Sequence, residues 1–223
     1  MILVNSLWIG GSLTNLEHLS ITSHIRTGHE YHLWVYEKVV VPRGTILRDA
    51  RQILPESEIF CYSGRKEDGG GSVSAFSNVF RYKLLSEQDG WWCDTDVVCL
   101  QPFGSGYGYA TERLSDGQVL PTTCVFNLPR EVAACCYRES RDVDKNTLRW
   151  GEIGPNLFGR AVSGLSQYAR DPTAFCPIQW WEHERFFQVA DIGTESLGIH
   201  LWNEMWRRRD IDKNGTFDPD CLY

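Results

Sequence analysis

Two carboxylates, Asp94 and Asp96, stand two residues apart inside an otherwise aromatic and apolar run from Gly90 to Leu100. In an extended strand, side chains two residues apart point to the same side, here roughly 7 Å from one another. Two anions so placed repel, and burying them is costly unless a cation compensates. A hard divalent ion held by carboxylates and by the phosphates of a substrate is a recurrent solution. The run therefore predicts a strand that carries a metal site.

The Asp-x-Asp spacing is not diagnostic by itself, because it recurs three times in this chain. The other pairs are Asp142/Asp144, Asp210/Asp212 and Asp218/Asp220. Those pairs lie among Lys, Asn and Gly, whereas Asp94 and Asp96 follow two tryptophans and precede Val-Val-Cys-Leu. The apolar context, rather than the spacing, favours the first pair as the metal site.

The C-terminal tail offers a competing calcium site. Five of its residues match, at the same spacing, the ligand and glycine positions of an EF-hand loop: Asp210, Asp212, Asn214, Gly215 and Asp218. The position of the final bidentate Glu is occupied by Cys221, and only two residues follow it. A solvated tail is therefore the favoured interpretation, with calcium binding as the alternative.

A helix predicted from Val73 to about Glu87 places three polar groups together just before the Asp-bearing strand. Ser77, Asn78 and Arg81 are three and four residues apart, so they share one helix face and present a hydroxyl, an amide and a guanidinium. In open α/β sheets, ligands bind beyond the carboxyl ends of strands. We therefore expect this helix face and the two carboxylates to meet at one edge of a sheet.

The surrounding pattern is that of an α/β fold. Residues 2–9 and 31–36 read as strands that flank a helix containing Leu13, Leu16 and Leu19. Further strands are predicted at 58–62, 108–113, 119–128, 175–181 and 197–202, and helices at 49–54, at 131–142 and from 154 to 162. The expected architecture is a single domain over residues 1–223, with a mixed central sheet flanked by helices.

Composition excludes several functional classes. Hydrophobic residues make up 42% and charged residues 23% of the 223 residues, as in soluble globular proteins. The net charge of −7 argues against a nucleic-acid-binding protein, which needs a basic face. No Cys-x-x-Cys pair is present, so zinc-finger spacing is absent. We expect a cytoplasmic protein, with Arg207–Arg209 as a candidate contact to an anionic lipid at the inner membrane face or to a diphosphate.

Ser77–Tyr82 and Gly90–Asp96, read together, resemble the sugar-transferase family that contains an Asp-x-Asp motif. This family is similar to yeast initiating mannosyltransferases, bacterial capsule and lipooligosaccharide glycosyltransferases, and the catalytic domains of clostridial glucosylating toxins. The resemblance extends to Trp8-Ile9-Gly10, Gly28-His29-Glu30-Tyr31, Gly154-Pro155 and His200-Leu201-Trp202-Asn203.

The resemblance implies a GT-A-like, Rossmann-like fold and a metal-dependent glycosyltransferase. The enzyme would use Mn2+ or Mg2+ and would move a hexose from a nucleotide-diphosphate sugar, a UDP-sugar by preference, with retention at the anomeric carbon. The acceptor would be a saccharide, a lipid-linked saccharide or another hydroxyl compound, as in polysaccharide biosynthesis. The family commonly has Ser-Asp where this chain has Ser77-Asn78, which leaves the sugar preference open.

Site residues are implied by the same resemblance. Asp94, Asp96 and Arg81 would be catalytic, and Asp94, Asp96 and His200 would hold the metal. The donor would contact Trp8, Ile9, Ser77, Asn78, Arg81, Trp92, Asp94 and Thr95, with Trp8 stacked on the base. Glu152 and Asn156 are expected on the acceptor side, and residues 203–223 are expected to close over the donor site.

Two other functions fit parts of the pattern. A noncatalytic protein that binds carbohydrates or nucleotide sugars would use the same aromatic residues and metal without turnover. A glycoside hydrolase would use paired carboxylates, but it needs them on opposite sides of the scissile bond, whereas Asp94 and Asp96 belong to one short run.

We expect Asp96→Ala to abolish sugar transfer and to leave the fold intact, because the substitution removes a direct metal ligand. Transfer in the presence of Mn2+ and the circular-dichroism spectrum are the measurements. Near-normal transfer by the variant would contradict the metal assignment.

Overall fold

In the computed structural model, which describes residues 1–189 and 191–223, strands and helices alternate along the first half of the chain. The strands are β1 (Leu3–Trp8), β2 (Glu30–Val35), β3 (Ile46–Asp49), β4 (Trp91–Cys93), β5 (Val97–Cys99), β6 (Gly108–Arg113), β7 (Val119–Asn127) and β8 (Gly198–His200). The α-helices are α1 (Asn15–Arg26), α2 (Ser74–Glu87), α3 (Arg130–Arg141), α4 (Leu157–Ala161), α5 (Pro172–Phe175) and α6 (Asn203–Arg208). Short 3-10 helices span Ala50–Gln52, Glu56–Glu58, Lys66–Asp68, Ser166–Tyr168 and Trp180–Phe187, and a π-helical turn spans Glu152–Asn156.

Within the described residues, no helix has both the length and the apolar character needed to span a membrane.

Six strands form a mixed sheet in the order β3-β2-β1-β4-β7-β6. The first four strands of this order run parallel, whereas β7 is antiparallel to β4 and β6 is antiparallel to β7. β5 and β8 form a separate antiparallel pair. The predicted α/β class, with a mixed central sheet flanked by helices, is confirmed.

Helices cover both faces of the sheet. On one face, Phe80 of α2 packs between Trp34 and Trp92, with ring centroids 6.3 and 6.4 Å away. On the other face, Ile21 of α1 and Phe175 of α5 belong to a second buried cluster. Strands that are covered on both sides read as continuous apolar runs, which is why their positions were visible in the sequence.

The central strand β1 nevertheless carries two buried polar side chains. Asn5 Oδ1 accepts a hydrogen bond from Trp34 Nε1 at 3.0 Å. Ser6 Oγ donates to the carbonyl of Cys93 and accepts from Tyr31 Oη at 2.7 Å. Because buried polar groups are costly unless they are bonded, these contacts tie β1 to β2 and β4 and fix where β4 ends.

Two predicted strands are wrong. In 175–181, Asp171 caps α5 by accepting a hydrogen bond from Thr173 N at 3.0 Å, so Phe175 is helical, and Gln179 then precedes the 3-10 helix Trp180–Phe187. Residues 58–62 begin in a 3-10 turn and continue as irregular chain. In this irregular part only Tyr62 makes backbone hydrogen bonds to a distant segment, at Ser72 and Gly71. The predicted helix at 49–54 shrinks to Ala50–Gln52.

The segment after α6 packs against α1. Lys213 Nζ donates to Glu17 Oε1 at 2.6 Å, and Glu17 is fully buried. The same carboxylate accepts from the backbone N–H of Thr14 at 2.8 Å, which caps α1. The backbone N–H of Tyr223 bonds to the carbonyl of Phe186 at 3.1 Å. The tail is therefore attached to the domain at both ends.

We expect Lys213→Met to lower the free energy of unfolding by roughly 1–3 kcal/mol, because it leaves the buried Glu17 carboxylate without its cationic partner. Urea denaturation followed by circular dichroism measures the change.

Lys66→Met is the matched control. Lys66 pairs with another tail residue, Asp210, but both side chains are exposed. An exposed ion pair contributes about 0–1 kcal/mol, so this variant should unfold almost like the wild type. A loss for Lys213→Met no larger than that for Lys66→Met would contradict the proposed anchoring of the tail.

Candidate active site

A cleft of about 440 Å³ opens beyond the carboxyl ends of β1 and β4. Its walls come from the first half of α2, from the turn after β4, from β6 and β7, and from α6. Nine predicted site residues line it: Trp8, Ile9, Ser77, Asn78, Arg81, Asp94, Thr95, Asp96 and His200. The fold thus brings together residues that are up to 192 positions apart in the sequence, the separation between Trp8 and His200.

Asp94 and Asp96 lie on a turn and not inside one strand, which corrects the sequence-based prediction. β4 ends at Cys93 and β5 starts at Val97, and the backbone N–H of Val97 bonds to the carbonyl of Asp94 at 3.2 Å. The chain turns here because β5 leaves the main sheet to pair with β8. The two carboxylates therefore converge on His200 instead of pointing out side by side.

Arg81 and Trp92 hold the Asp94 carboxylate in place. Arg81 Nη2 lies 3.0 Å from Asp94 Oδ1, and Trp92 Nε1 donates to the same oxygen at 2.8 Å. The guanidinium also donates to the hydroxyl of Ser77 at 2.8 Å and to the carbonyl of Thr123, and it stacks 4.6 Å from the Trp92 ring. Since Arg81 is buried and its nitrogens are engaged by the protein, its geometry is that of a residue that positions Asp94.

Asp96 is held from the opposite direction, by the C-terminal part of the chain. Asp96 Oδ2 accepts from the backbone N–H of Asn203 at 2.7 Å and lies 3.3 Å from His200 Nε2. His200 reaches this position because β8 pairs with β5, with His200 opposite Val97. Trp202, between His200 and Asn203, has a positive φ of 55°, which is uncommon for a bulky residue. The backbone is thus strained at Trp202, between the two residues that contact Asp96.

The charges of the cluster are strongly coupled. Burial raises the pKa of Asp94, and the Asp96 charge raises it further, against the opposing effect of Arg81. Burial alone would also raise the pKa of Asp96, but His200 and the N–H of Asn203 lower it below the usual value. Burial would lower the pKa of His200, yet Asp96 and Cys124 raise it well above the usual value. The two carboxylates are thus compensated by Arg81 and by the protonated His200, and a metal ion held by the three side chains would have to displace the His200 proton.

The three side chains fit a divalent cation. One ligand atom each from Asp94, Asp96 and His200 lies within 4.8 Å of the other two. Carboxylate oxygens suit Mg2+ and Mn2+, and one imidazole is compatible with a transition metal such as Mn2+. The Asp94 side chain remains 25% exposed to the cleft, so a substrate can reach the ion.

Two further groups of possible ligands occur in the described residues, and the sequence spacing did not reveal them. They are Cys124/Cys176/His200 and His24/His29/Cys99. All members of both groups are buried, and burial lowers the pKa of His24 to about 3. The Asp94/Asp96/His200 group differs because one member, Asp94, is partly exposed in the cleft.

The tail loop forms no such group among the described residues. Asp212 Oδ1 accepts from the backbone N–H of Asn214 at 2.9 Å, Asp218 Oδ1 accepts from that of Asp220 at 2.9 Å, and Asp210 pairs with Lys66. These carboxylates stabilise separate turns, so the structure does not support the alternative of a calcium site.

Trp8 lies at the end of β1 and is partly exposed in the cleft. Its indole Nε1 donates to the carbonyl of Gly11 at 2.9 Å, which fixes the orientation of the ring. Lys213 of the tail lies 5.5 Å from the ring centroid.

Asn203, Glu204 and other residues of α6 also line the cleft, so the C-terminal part of the chain borders it.

Three predicted site residues do not line the cleft. Trp92 is buried beneath Arg81. Glu152 Oε2 accepts from the backbone N–H of Arg149 at 3.0 Å, and Asn156 is exposed, although Gly151 and Pro155 beside them do line the cleft. The structure therefore gives no support to Glu152 and Asn156 as acceptor-side residues.

Residues 144–217 match a family model described as an alpha 1,4-glycosyltransferase conserved region. Over this region the chain is similar to glycosyltransferases. The matched region includes His200 and Asn203, but Asp94 and Asp96 lie outside it. The chain is also similar to a solved structure, "PaToxG Glycosyltransferase", with 15% sequence identity and a TM-score of 0.49 over 73% of this chain and 68% of that chain. No curated protein matches the sequence.

Sequence reasoning missed several residues of the cleft. They are Tyr62, Glu112, Thr122, Thr123, Trp150, Trp180, Trp202 and Asn203. Trp202 and Asn203 directly follow His200, so the quoted run could have revealed them. Glu112 and Trp180 stand in segments without a distinctive pattern, and only the fold brings them to the cleft.

We expect Arg81→Lys to weaken Mn2+ binding roughly 10- to 100-fold, the usual cost of losing a group that orients a metal ligand. Lysine keeps the charge but cannot contact Asp94, Ser77 and Thr123 together. Calorimetric titration with Mn2+ in the absence of nucleotide sugar gives the affinity.

Arg160→Lys is the control, because Arg160 pairs with Glu139 at 3.5 Å and does not line the cleft. It should bind Mn2+ like the wild type. If Arg81→Lys changed the affinity for a nucleotide sugar but not for Mn2+, Arg81 would contact the donor directly and the positioning role would be wrong.

Proposed function

We propose that this protein is a metal-dependent glycosyltransferase that moves a hexose from a nucleotide-diphosphate sugar, a UDP-sugar by preference, to a hydroxyl acceptor with retention. The observation that carries the proposal is the convergence of Asp94, Asp96 and His200 at the floor of the cleft. Mn2+ or Mg2+ bound there would neutralise the charge that develops on the departing diphosphate.

The residues around the cluster support an anionic, base-containing donor. Trp8 presents an indole ring on which a nucleobase can stack. Arg208 lines the same cleft, and its Nη2 is buried without a hydrogen-bond partner among the described residues. A phosphate oxygen would satisfy this orphan donor, since guanidinium groups pair well with phosphates.

Ser77 and Asn78 line the same cleft as Trp8 and Arg208, but both side chains already have protein partners. Ser77 Oγ accepts from Arg81, and Asn78 Oδ1 accepts from the hydroxyl of Thr123 at 3.1 Å. We propose that they shape the sugar pocket and that the amide nitrogen of Asn78, for which the described residues offer no acceptor, donates to a sugar hydroxyl. Gly154 lies against this amide, where a Cβ would come within 3.0 Å of it.

Retention is consistent with the family description. The matched region is that of alpha 1,4-glycosyltransferases, and an α-linkage formed from an α-linked UDP-hexose preserves the anomeric configuration. Within the described residues, Asp94 and Asp96 are already engaged by Arg81, Trp92, His200 and Asn203. We therefore assign neither as the base that receives the acceptor proton, and a departing phosphate oxygen is the candidate.

The alternative is a noncatalytic protein that binds nucleotide sugars, and donor turnover separates the two. We expect UDP with Mn2+ to raise the melting temperature in proportion to the logarithm of ligand concentration, more than GDP or CMP with Mn2+. We also expect Mn2+-dependent release of UDP from at least one of UDP-glucose, UDP-galactose and their N-acetyl forms. Tight binding of a UDP-sugar without release of UDP would favour the binding protein.

A further inference from the structure

Glu112 is a cleft carboxylate that the metal cluster does not use. It lies on β6 opposite Leu120 of β7, and β4 pairs with β7 only farther along, at Val125 and Phe126. Glu112 therefore stands beyond the end of β4, where the cleft opens. The residue is 8% exposed and lines the cleft.

The Glu112 carboxylate has no hydrogen-bond donor and no ion-pair partner in the part of the chain that the structure describes. Burial raises its pKa, and the charge of His200 opposes this shift. The side chain is largely covered, but its oxygens are not among the fully buried polar atoms that lack a partner, so they open into the cleft. A largely desolvated carboxylate is costly unless a donor compensates it. Its position in the cleft indicates that the missing donor is supplied by a ligand.

Trp180 is the neighbour that indicates the chemistry of this ligand. It lines the same cleft and is 39% exposed. The backbone N–H of Arg113 donates to Gln179 Oε1 at 2.8 Å, and Trp181 Nε1 donates to the carbonyl of Arg113 at 3.2 Å. Residues 112–113 and 179–181 are thus fastened side by side, and Glu112 and Trp180 of these two segments both line the cleft.

An exposed indole and a carboxylate on neighbouring segments of one cleft match the chemistry of a sugar. One face of a pyranose presents C–H groups that pack on an aromatic ring, and its hydroxyls donate to a carboxylate. A carboxylate would repel a phosphorylated or carboxylated acceptor. The pair therefore selects a neutral saccharide.

We infer that Glu112 and Trp180 form the acceptor subsite and that the acceptor is a neutral saccharide. The inference rests on the proposed function, in which the donor occupies the metal cluster and the Trp8 side of the cleft. In this arrangement Trp180 orients the acceptor ring, and Glu112 accepts hydrogen bonds from its hydroxyls beside the reacting centre.

The test is saturation-transfer NMR with lactose, maltose and cellobiose, in the presence of UDP and Mn2+. We expect the wild type to bind at least one of the three disaccharides. Glu112→Gln and Trp180→Ala should each weaken this binding at least about tenfold, the effect expected when a hydrogen bond to a charged group or a stacking surface is lost.

Tyr107→Ala is the matched control, because Tyr107 is an aromatic residue that is 45% exposed but does not line the cleft. This variant should bind the disaccharide like the wild type. Equal losses for Trp180→Ala and Tyr107→Ala would show that the loss is not specific to the cleft, and the inference would be wrong. Melting curves of all variants establish that they are folded.

UDP release from UDP-sugars by the wild type separates failure of the subsite from failure of the proposed function. If UDP is released but no disaccharide binds, or both cleft variants bind normally, the acceptor subsite is overturned and the transferase stands. If UDP is never released but disaccharide binding depends on Glu112 and Trp180, the saccharide site stands and the proposed turnover is wrong.

Discussion

The site depends on two carboxylates that are held close together while different parts of the chain compensate each of them. Asp94 is paired with Arg81 of α2 at 3.0 Å, and Asp96 is held by His200 and by the N–H of Asn203 at 2.7 Å. Without these partners, the two anions at the end of β4 would repel and the turn would lose its support. The arrangement leaves the carboxylates open only toward the cleft. A cation and an anionic substrate can approach from that side.

The architecture follows from that requirement. β4 must end at Cys93, and its hydrogen bond from Ser6 ties this end to the central strand β1. β5 then leaves the main sheet and pairs with β8, which brings His200 back across more than 100 residues of sequence. The antiparallel strands β7 and β6 extend past the end of β4, so their residues there, including Glu112, form a further wall of the cleft. The mixed sheet thus gives the cleft two sides with different chemistry.

Much of this was accessible from the sequence because local patterns agreed with the fold. β6 was predicted at its observed bounds, and α3 within one residue at each end, since α3 is amphipathic and β6 is followed by the turn residues Asp116 and Gly117. The cleft residues from α2 and from the Asp94 run were found because polar groups in an apolar setting are conspicuous.

The remainder depended on long-range contacts that no local pattern carries. The Asp94 turn reads as part of a strand because its interruption is caused by pairing with β8, far along the chain. β3 has four exposed residues and no apolar alternation, so nothing marked it as an edge strand. Phe175 and Trp180 have strand propensity, but the cap at Asp171 and the bond from Arg113 to Gln179 impose helical turns. Glu112 is recognisable as a candidate ligand-binding residue only in the fold, because no described residue pairs with its carboxylate.

The most direct test of the central claim is a crystal structure with Mn2+ and UDP, in which the metal is located by its anomalous scattering. The account predicts a peak in the cleft, bonded to carboxylate oxygens of Asp96 and Asp94 and adjacent to His200, with the UDP diphosphate as a further ligand. Ordered UDP in the cleft with no metal peak at these residues, or a peak only at the tail carboxylates Asp212 and Asp218, would contradict it.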